Sequence, residues 1–303
     1  MTRHIFGSER AQSAVITVVF MFALLSMAAA VLDVGSWYRA HRKLQANADA
    51  AALAGAQELP ESVGRARLAA VDYADRNDGA VVAGDVQFPG IENDTIEVTA
   101  RRPAPGIFAK LFGLDSVKVR ARAVARVGVL GRAKWAAPIA VDWRHEKLQC
   151  KPTPCFNDPT TIDFNKTGPG AFRLINIDSS HGGTGSQDIG NWIEGGLDAW
   201  MDKDRWYYSD PGLKPNSSHV IRALDIRDET ELLLPVYDAT RAQGAGFEYY
   251  VIGWAVFHVT GFTINGASKA WIEGYFVDMI WEGIESGSPD GEHFGARAVS
   301  LVE

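Results

Sequence analysis

Residues 11–32 read AQSAVITVVFMFALLSMAAAVL, 22 consecutive positions without a charge. At about 1.5 Å of rise per helical residue this run is roughly 33 Å long, enough to cross a hydrocarbon layer of about 30 Å. A cleaved secretory signal would share the basic start (Arg3, Arg10) and the small residues Ala28-Ala29-Ala30, but it has a shorter apolar core. A buried core helix would also be shorter and would show a polar edge. The length favours a retained anchor, and Asp33 falls at its end, where a carboxylate costs far less than at mid-membrane. Arg3 and Arg10 flank one side and Arg39, Arg42 and Lys43 the other, so the distribution of positive charge does not orient the span.

The helix is expected to continue past the membrane. Residues 34–59 contain no proline and are rich in Ala and Leu, good helix formers, until Pro60 stops them and Ser62 is placed to cap a second helix. The small side chains of this wet half permit close approach of another helix.

The surrounding polar residues form an ordered series. Ser8-Glu9-Arg10-Ala11-Gln12 precedes the apolar run, Asp33-Val34-Gly35 follows it, and Lys43-Leu44-Gln45-Ala46-Asn47-Ala48-Asp49-Ala50-Ala51-Ala52-Leu53-Ala54-Gly55-Ala56 completes it. This series resembles the N-terminal module of TadG-like proteins of the Tad (Flp) pilus assembly system. Ala11 stands where that family usually has Gly, and Gly7 is not followed by the spacing of a prepilin-peptidase site. The resemblance implies a cytoplasmic N-terminus, a body outside the membrane, and an assembly motif comprising Glu9, Asp33, Gln45, Asn47 and Asp49. On an otherwise small or apolar helix, Asp33 and Asp49 are expected to set register with partner helices.

Between residues 60 and 128 the pattern is mixed. Ser62 to Asn77 predicts an amphipathic helix with Val63, Ala66, Leu68, Ala70, Tyr73 and Ala74 inward. Val81-Val82, residues 86–88 and residues 95–99 alternate as half-buried strands, and 106–112 reads as a short helix. Residues 117–127 alternate throughout, placing Lys118, Arg120, Arg122 and Arg126 on one face. That basic stripe suits either an acidic partner or an edge strand guarded by charge. One helix on a small antiparallel sheet behind a long anchor is pilin-like in outline.

The remaining chain is acidic and aromatic. The net charge of −7 divides into +2 for residues 1–56, 0 for 57–128 and −9 for 129–303, and eight of the nine Trp follow residue 134. An acidic body offers no footprint for phosphate backbones, which argues against nucleic-acid binding. Residues 247–264 (FEYYVIGWAVFHVTGFTI) imitate a second span, but Glu248, His258 and the Tyr, Val, Phe, Thr and Gly content predict a strand or hairpin. Residues 270–280 and 296–301 continue the β pattern, and 192–201 is the one short helix expected. The runs 233–238, 250–257 and 272–277 are similar to the C-terminal region of many TadG-like proteins.

Chemistry-bearing patterns are sparse. Cys150 and Cys155 suit a disulfide clipping a loop outside the membrane; free thiols and a metal site with His145 are the alternatives, the latter short of ligands. Asp178-Ser179-Ser180-His181-Gly182, after a strand expected at 172–177, resembles the metal-binding loop of von Willebrand A domains but has Gly at the second hydroxyl position. Residues 182–186 (GGTGS) lack the lysine of a phosphate-binding loop, and no G-x-S-x-G occurs. His258 reads as a core residue, and Asp202/Asp204 and Asp228/Glu229/Glu231 as solvated loops. No catalytic set, metal or cofactor is expected.

The resulting reading is an α+β protein: residues 1–10 cytoplasmic, 11–32 transmembrane, 33–59 an extension of the anchoring helix, 60–128 a pilin-like αβ domain, and 129–303 a β-rich extracytoplasmic domain. The function implied is a non-enzymatic, pseudopilin-like or envelope-anchoring component of Tad pilus assembly, with other Tad/Flp pilus proteins and the lipid around 11–32 as partners. A surface-anchored adhesive module, its aromatics contacting sugars, is the alternative, and an anchored hydrolase a weaker one.

Overall fold

The computed structural model describes residues 8–77, 79–89, 93–151, 153–164, 166–168, 171–172, 174–181, 184–210, 216–243, 246–266, 269–286 and 293–302. The chain divides into two compact units, Met1–Arg126 with Leu301–Glu303, and Val127–Ser300.

The first unit is built on α1 (Ser8–Ala56), a single uninterrupted helix of 49 residues, about 74 Å long at the standard rise. Its two halves have opposite surroundings. Large apolar side chains from Val15 to Leu32 are outward on every face of the helix, with Phe22 67% and Leu25 63% exposed. An 18-residue window there has a mean hydropathy of 2.7 and none of it is buried. A helix apolar all round needs an apolar surrounding, and the length and composition suit single-pass membrane anchoring. Its second half is amphipathic and packs on α2 (Val63–Arg76), which Ser62 caps by accepting from the Arg65 N–H.

The strands follow. After a 3₁₀ turn at Ala83–Asp85, β1 (Val86–Gln87) pairs with β2 (Thr95–Pro105), and β2 pairs antiparallel with β3 (Ser116–Ala133) from Thr95 opposite Arg126 to Pro105 opposite Ser116. Pro103 and Pro105 are tolerated because β1 reaches only Glu97 and Val98, leaving the far end of β2 an edge. Period-two alternation turns Ile96, Val98 and Ala100 inward, and likewise Ala121, Ala123 and Ala125. Lys118, Arg120 and Arg122 are exposed and Arg126 is half-buried. In the strand order β3 stands between β2 and the much shorter β15 (Ala296–Val302). The expected strand at Val81-Val82 is absent; that segment leads into the 3₁₀ turn.

The second unit contains β4 (Val141–Asp142), β5 (Thr160–Asp163), β6 (Lys166–Gly168), β7 (Ala171–Phe172), α3 (Ser186–Gly195), β8 (Met201–Asp202), β9 (Arg205–Tyr208), α4 (Ser218–Ile226), β10 (Glu231–Arg241), β11 (Glu248–Ile264), β12 (Ala270–Val277), β13 (Met279–Ile280) and β14 (Gly283–Glu285). Its principal sheet runs β4-β10-β11-β12-β5, with β9 also on β11. Leu232, Leu234, Val236, Ala255 and Phe257 join one core with Ile189 and Ile193 of α3 and Val220 and Leu224 of α4. The alternate residues Leu233, Tyr237, Val251, Trp254 and Val256 join a second core on the opposite face. A sheet covered on both sides yields strands that are apolar at nearly every position, which is why 247–264 imitates a span yet forms the central strand β11.

Several expectations need correction. The helix expected at 192–201 lies earlier, at Ser186–Gly195, because Gly196 takes a left-handed φ of 74° and ends it. The strand expected at 172–177 is instead the short β7 followed by isolated bridges from Leu174 to Ile139 and from Ile175 to Ser209. On α2 only Ala66, Ala70 and Ala74 are buried, while Leu68 is 72% and Tyr73 44% exposed. The helix α1 passes so close that only methyl groups fit between the two. The architecture is thus mixed α+β, with a long apolar N-terminal helix and a β-rich C-terminal region.

Candidate functional site

The polar residues of the N-terminal series converge on one junction, the packing of α1 against the rest of the first unit. Leu44, Ala48, Ala51, Ala52 and Ala56 are buried, all four alanines fully, in the helix that packs against α2 and β2. Gly55 marks the closest approach: a Cβ built there would lie 2.4 Å from Ile96 Cδ1 and 2.8 Å from the Ala66 carbonyl oxygen. Small side chains on the second half of α1 therefore receive a helix of the same chain.

Asn47 is buried beside the end of α2, and its Nδ2 donates to the carbonyl oxygens of Asn77 at 2.9 Å and Ala74 at 3.5 Å. That supplies a partner to carbonyls that a helix C-terminus leaves open. Gln45 Nε2 donates to Asp49 Oδ1 at 2.7 Å and to the Arg122 carbonyl oxygen at 2.9 Å, tying α1 to β3. Arg122 in turn forms a two-pronged pair with Glu97 across the β2–β3 ladder, at 2.7 and 2.8 Å. The hydrogen bond from Arg122 holds the Glu97 carboxyl below its ordinary range, against the opposing effect of desolvation.

Asp33 has the densest set of contacts. It is only 4% exposed, and its Oδ1 accepts from the N–H of Ile107 at 2.6 Å and of Phe108 at 3.2 Å. Its Oδ2 accepts from Phe108 at 3.0 Å and Ala109 at 2.5 Å. Four residues on, Trp37 Nε1 donates to the Pro105 carbonyl oxygen at 3.3 Å. The junction thus grips the Gly106–Leu114 turn at the point where α1 leaves its apolar segment. Glu9 lies in the first turn of α1, and its side chain is outside the described residues.

The turn itself was not singled out by the sequence as a site. Read as a short helix, it is a single 3₁₀ turn at Ala109–Phe112 ended by Gly113 with φ of 80°, and its large apolar side chains face outward. Ile107 is 56%, Leu111 81%, Phe112 71% and Leu114 55% exposed. An I-x-x-x-L-F-x-L pattern from Ile107 to Leu114 was the available signal.

In the second unit Cys150 and Cys155 are joined, with Cα atoms 5.5 Å apart. His145 Nδ1 accepts from the Lys147 N–H at 3.2 Å, which makes Nε2 the donor to the Thr161 carbonyl oxygen at 3.1 Å. The Asp178 loop closes on itself, the Ser180 N–H donating to Asp178 Oδ1 at 2.8 Å, and Gly182 and Gly183 lie outside the described residues. Where the glycine-rich stretch leads into α3, the Thr184 N–H is taken by Asp210 Oδ2 at 2.8 Å. Among the described residues no group of three or more His, Cys, Asp or Glu comes together as a metal site.

His258 is largely buried and has polar partners: it lies 3.1 Å from Glu231 and 3.6 Å from Glu229, and stacks on Tyr275. Asp202 is likewise more than a solvated loop residue, since it pairs with Arg132 at 2.5 Å and Arg205 at 3.6 Å. Of the tryptophans in this unit, Trp254 is buried, and Trp200, 40% exposed, has Arg132 and Lys134 over its ring.

No curated protein and no solved structure matches this chain. Residues 12–58 do match the model of the Tad family, described as "Putative Flp pilus-assembly TadE/G-like". That stretch covers the apolar run, Asp33, Gln45, Asn47, Asp49 and Gly55, so this part of α1 is similar in sequence to Tad-family pilus-assembly proteins.

Proposed function

We propose that this chain is a membrane-anchored, non-enzymatic component of Tad (Flp) pilus assembly, its N-terminus cytoplasmic and its second unit outside the membrane. The observation that carries this reading is the coincidence of the family match over 12–58 with one continuous helix, outward and apolar in its first half and packed in its second. The resemblance of the flanking polar series supports the orientation.

The assembly motif acts by building a rigid support at the membrane exit. Asp33, Gln45 and Asn47 hold the helix to its own unit, and partner subunits contact the outward residues of the same stretch, Arg39, His41, Arg42 and Ala46. Whether the chain enters the filament or stays in the envelope as an anchor follows from where those contacts lead.

The test is deletion of the gene followed by electron microscopy, with photo-crosslinkers at residues 39, 41, 42 and 46 in the complemented strain. The expected outcome is loss of pili on deletion and crosslinks to pilin-type subunits. Normal piliation without the chain refutes the proposal.

A further inference from the structure

We propose that the Gly106–Leu114 turn is a lipid-inserting wedge, seated in the outer part of the bilayer beside the anchoring helix. This rests on reading residues 11–32 as a membrane span.

Three observations on the first unit lead there. The first is position. Phe108, Leu111 and Phe112 share an apolar cleft with Phe22, Leu25, Ala29 and Leu32 of α1. Asp33 holds the base of the turn, and Leu25 lies eight residues before it, about 12 Å along the helix axis. The turn therefore reaches back alongside the span, within the leaflet on the side of the folded body.

The second is the character of its surface. Ile107, Leu111, Phe112 and Leu114 are all more than half exposed, a density of outward apolar groups that water disfavours. This surface is continuous with the equally exposed apolar face of α1, so one solvent of one polarity covers both. Lys110, exposed on the same turn, has an apolar stem long enough to carry its ammonium to the headgroups.

The third is the backbone. Hydrocarbon contains no partner for a free N–H, so a non-helical segment enters it only when its polar groups are bonded within the protein. The Gly106 N–H donates to the Asp115 carbonyl oxygen, and those of Ile107, Phe108 and Ala109 to Asp33. Leu111, Gly113 and Leu114 donate to the carbonyl oxygens of Phe108, Lys110 and Ala109. A solvent-facing loop needs no such provision. Asp33 is the device that makes a reversal of the chain compatible with lipid.

The experiment uses the full chain in vesicles of phosphatidylcholine and phosphatidylglycerol. Cys150 and Cys155 are bonded to each other, so a single added cysteine takes an environment-sensitive fluorophore without reductant. Phe112→Cys or Leu111→Cys probes the wedge, Leu25→Cys the span, and Leu68→Cys, on the exposed face of α2, the water phase. Spin-labelled acyl chains are the quencher. The expected result is blue-shifted emission and strong quenching at 25, 111 and 112, with neither at 68. Quenching at 25 but not at 111 or 112 overturns the wedge and leaves the span intact. Absence of quenching at all positions overturns both. Crosslinking between two copies through residue 112, without lipid quenching, assigns the patch to a protein contact and also overturns the proposal. Because Leu111 and Phe112 make up exposed surface, their replacement leaves the fold readable, as hydrogen exchange in α2 verifies.

Discussion

Replacing Gly55 by alanine sets two effects of known sign against each other. In the interior of a helix the exchange gains about 1 kcal/mol, because glycine loses more conformational freedom on ordering. At Gly55 the new methyl would stand 2.4 Å from Ile96 Cδ1, 2.8 Å from the Ala66 carbonyl oxygen and 3.1 Å from Ala70 Cβ. Ile96 is fully buried and Ala66 offers backbone, so neither yields cheaply, and overpacking of this kind costs about 1–3 kcal/mol. With two unyielding neighbours the upper part of that range applies, for a net loss of about 1–2 kcal/mol. The assay is hydrogen exchange of the full-length chain in detergent micelles, read on the segments of α2 and β2. Gly35→Ala is the internal standard: it lies on the same helix with nothing within 4 Å of its added methyl, and it should be neutral or stabilising. Ile96→Val removes the offending Cδ1, so Gly55→Ala combined with Ile96→Val should cost less than the sum of the single changes. Protection in Gly55→Ala equal to or above that of the unaltered protein would refute close packing of α1 on α2 as the basis of this unit.

Three further outcomes are expected. Asp33→Asn keeps the shape but replaces one accepting oxygen by a donor, so exchange at the amides of residues 107–109 should accelerate while the second unit is unaffected; unchanged exchange would show that the carboxylate is not their partner. The Glu97 carboxyl is held below its ordinary value of 4.5 by Arg122, so its contribution to β2 and β3 is fully present above that value and lost as pH falls further. Glu97→Gln should therefore be less protected than the native chain at neutral pH and converge with it in acid; a constant difference down to the lowest pH sinks the assignment. Replacing both Cys150 and Cys155 by serine releases a loop with sequence separation 5. For so short a loop, chain entropy gives about 2 kcal/mol, measurable as a lower denaturation midpoint of the second unit, and an unchanged midpoint would show the clip to be incidental.

What the sequence discloses here depends on how local the deciding physics is. The apolar helix was legible because 22 uncharged residues are a length signal that needs no partner. The strand at 248–264 was legible despite its hydropathy, because Glu248 and His258 and its β-branched and aromatic content outweigh an apolar average. By contrast α4 went unread, although Ser217 accepts from the Val220 N–H at 3.3 Å and caps it; nine residues between loops give too few turns for a periodic signal. The inward role of Leu68 and Tyr73 was misassigned because α2 meets a methyl-lined helix, where a large side chain has no room. His258 alternates correctly for a buried strand position, and only the register that sets Glu231 opposite it supplies its polar partner.

The Asp33 contact was beyond sequence reasoning for a sharper reason. Its donors lie more than seventy residues away, and they are backbone amides, which carry no residue-type signature. This bears on how the matched segment is to be understood. Residues 12–58 match a family model, yet apart from the Gln45–Asp49 bond within the helix, the groups that Asp33, Gln45 and Asn47 bond are at 107–109, 122, and 74 and 77, outside the matched stretch. The segment is therefore one half of a built junction, and its polar landmarks Asp33, Gln45 and Asn47 serve the fold. Loss of piliation in Asp33→Ala alone would accordingly not identify a partner contact, since the same change frees the turn that Asp33 grips. A contact surface is identified by changes at Arg39, Arg42 or Ala46 that abolish assembly while exchange at 107–109 stays native, because those side chains are exposed and none of them supports the junction through a bond to the β2–β3 turn.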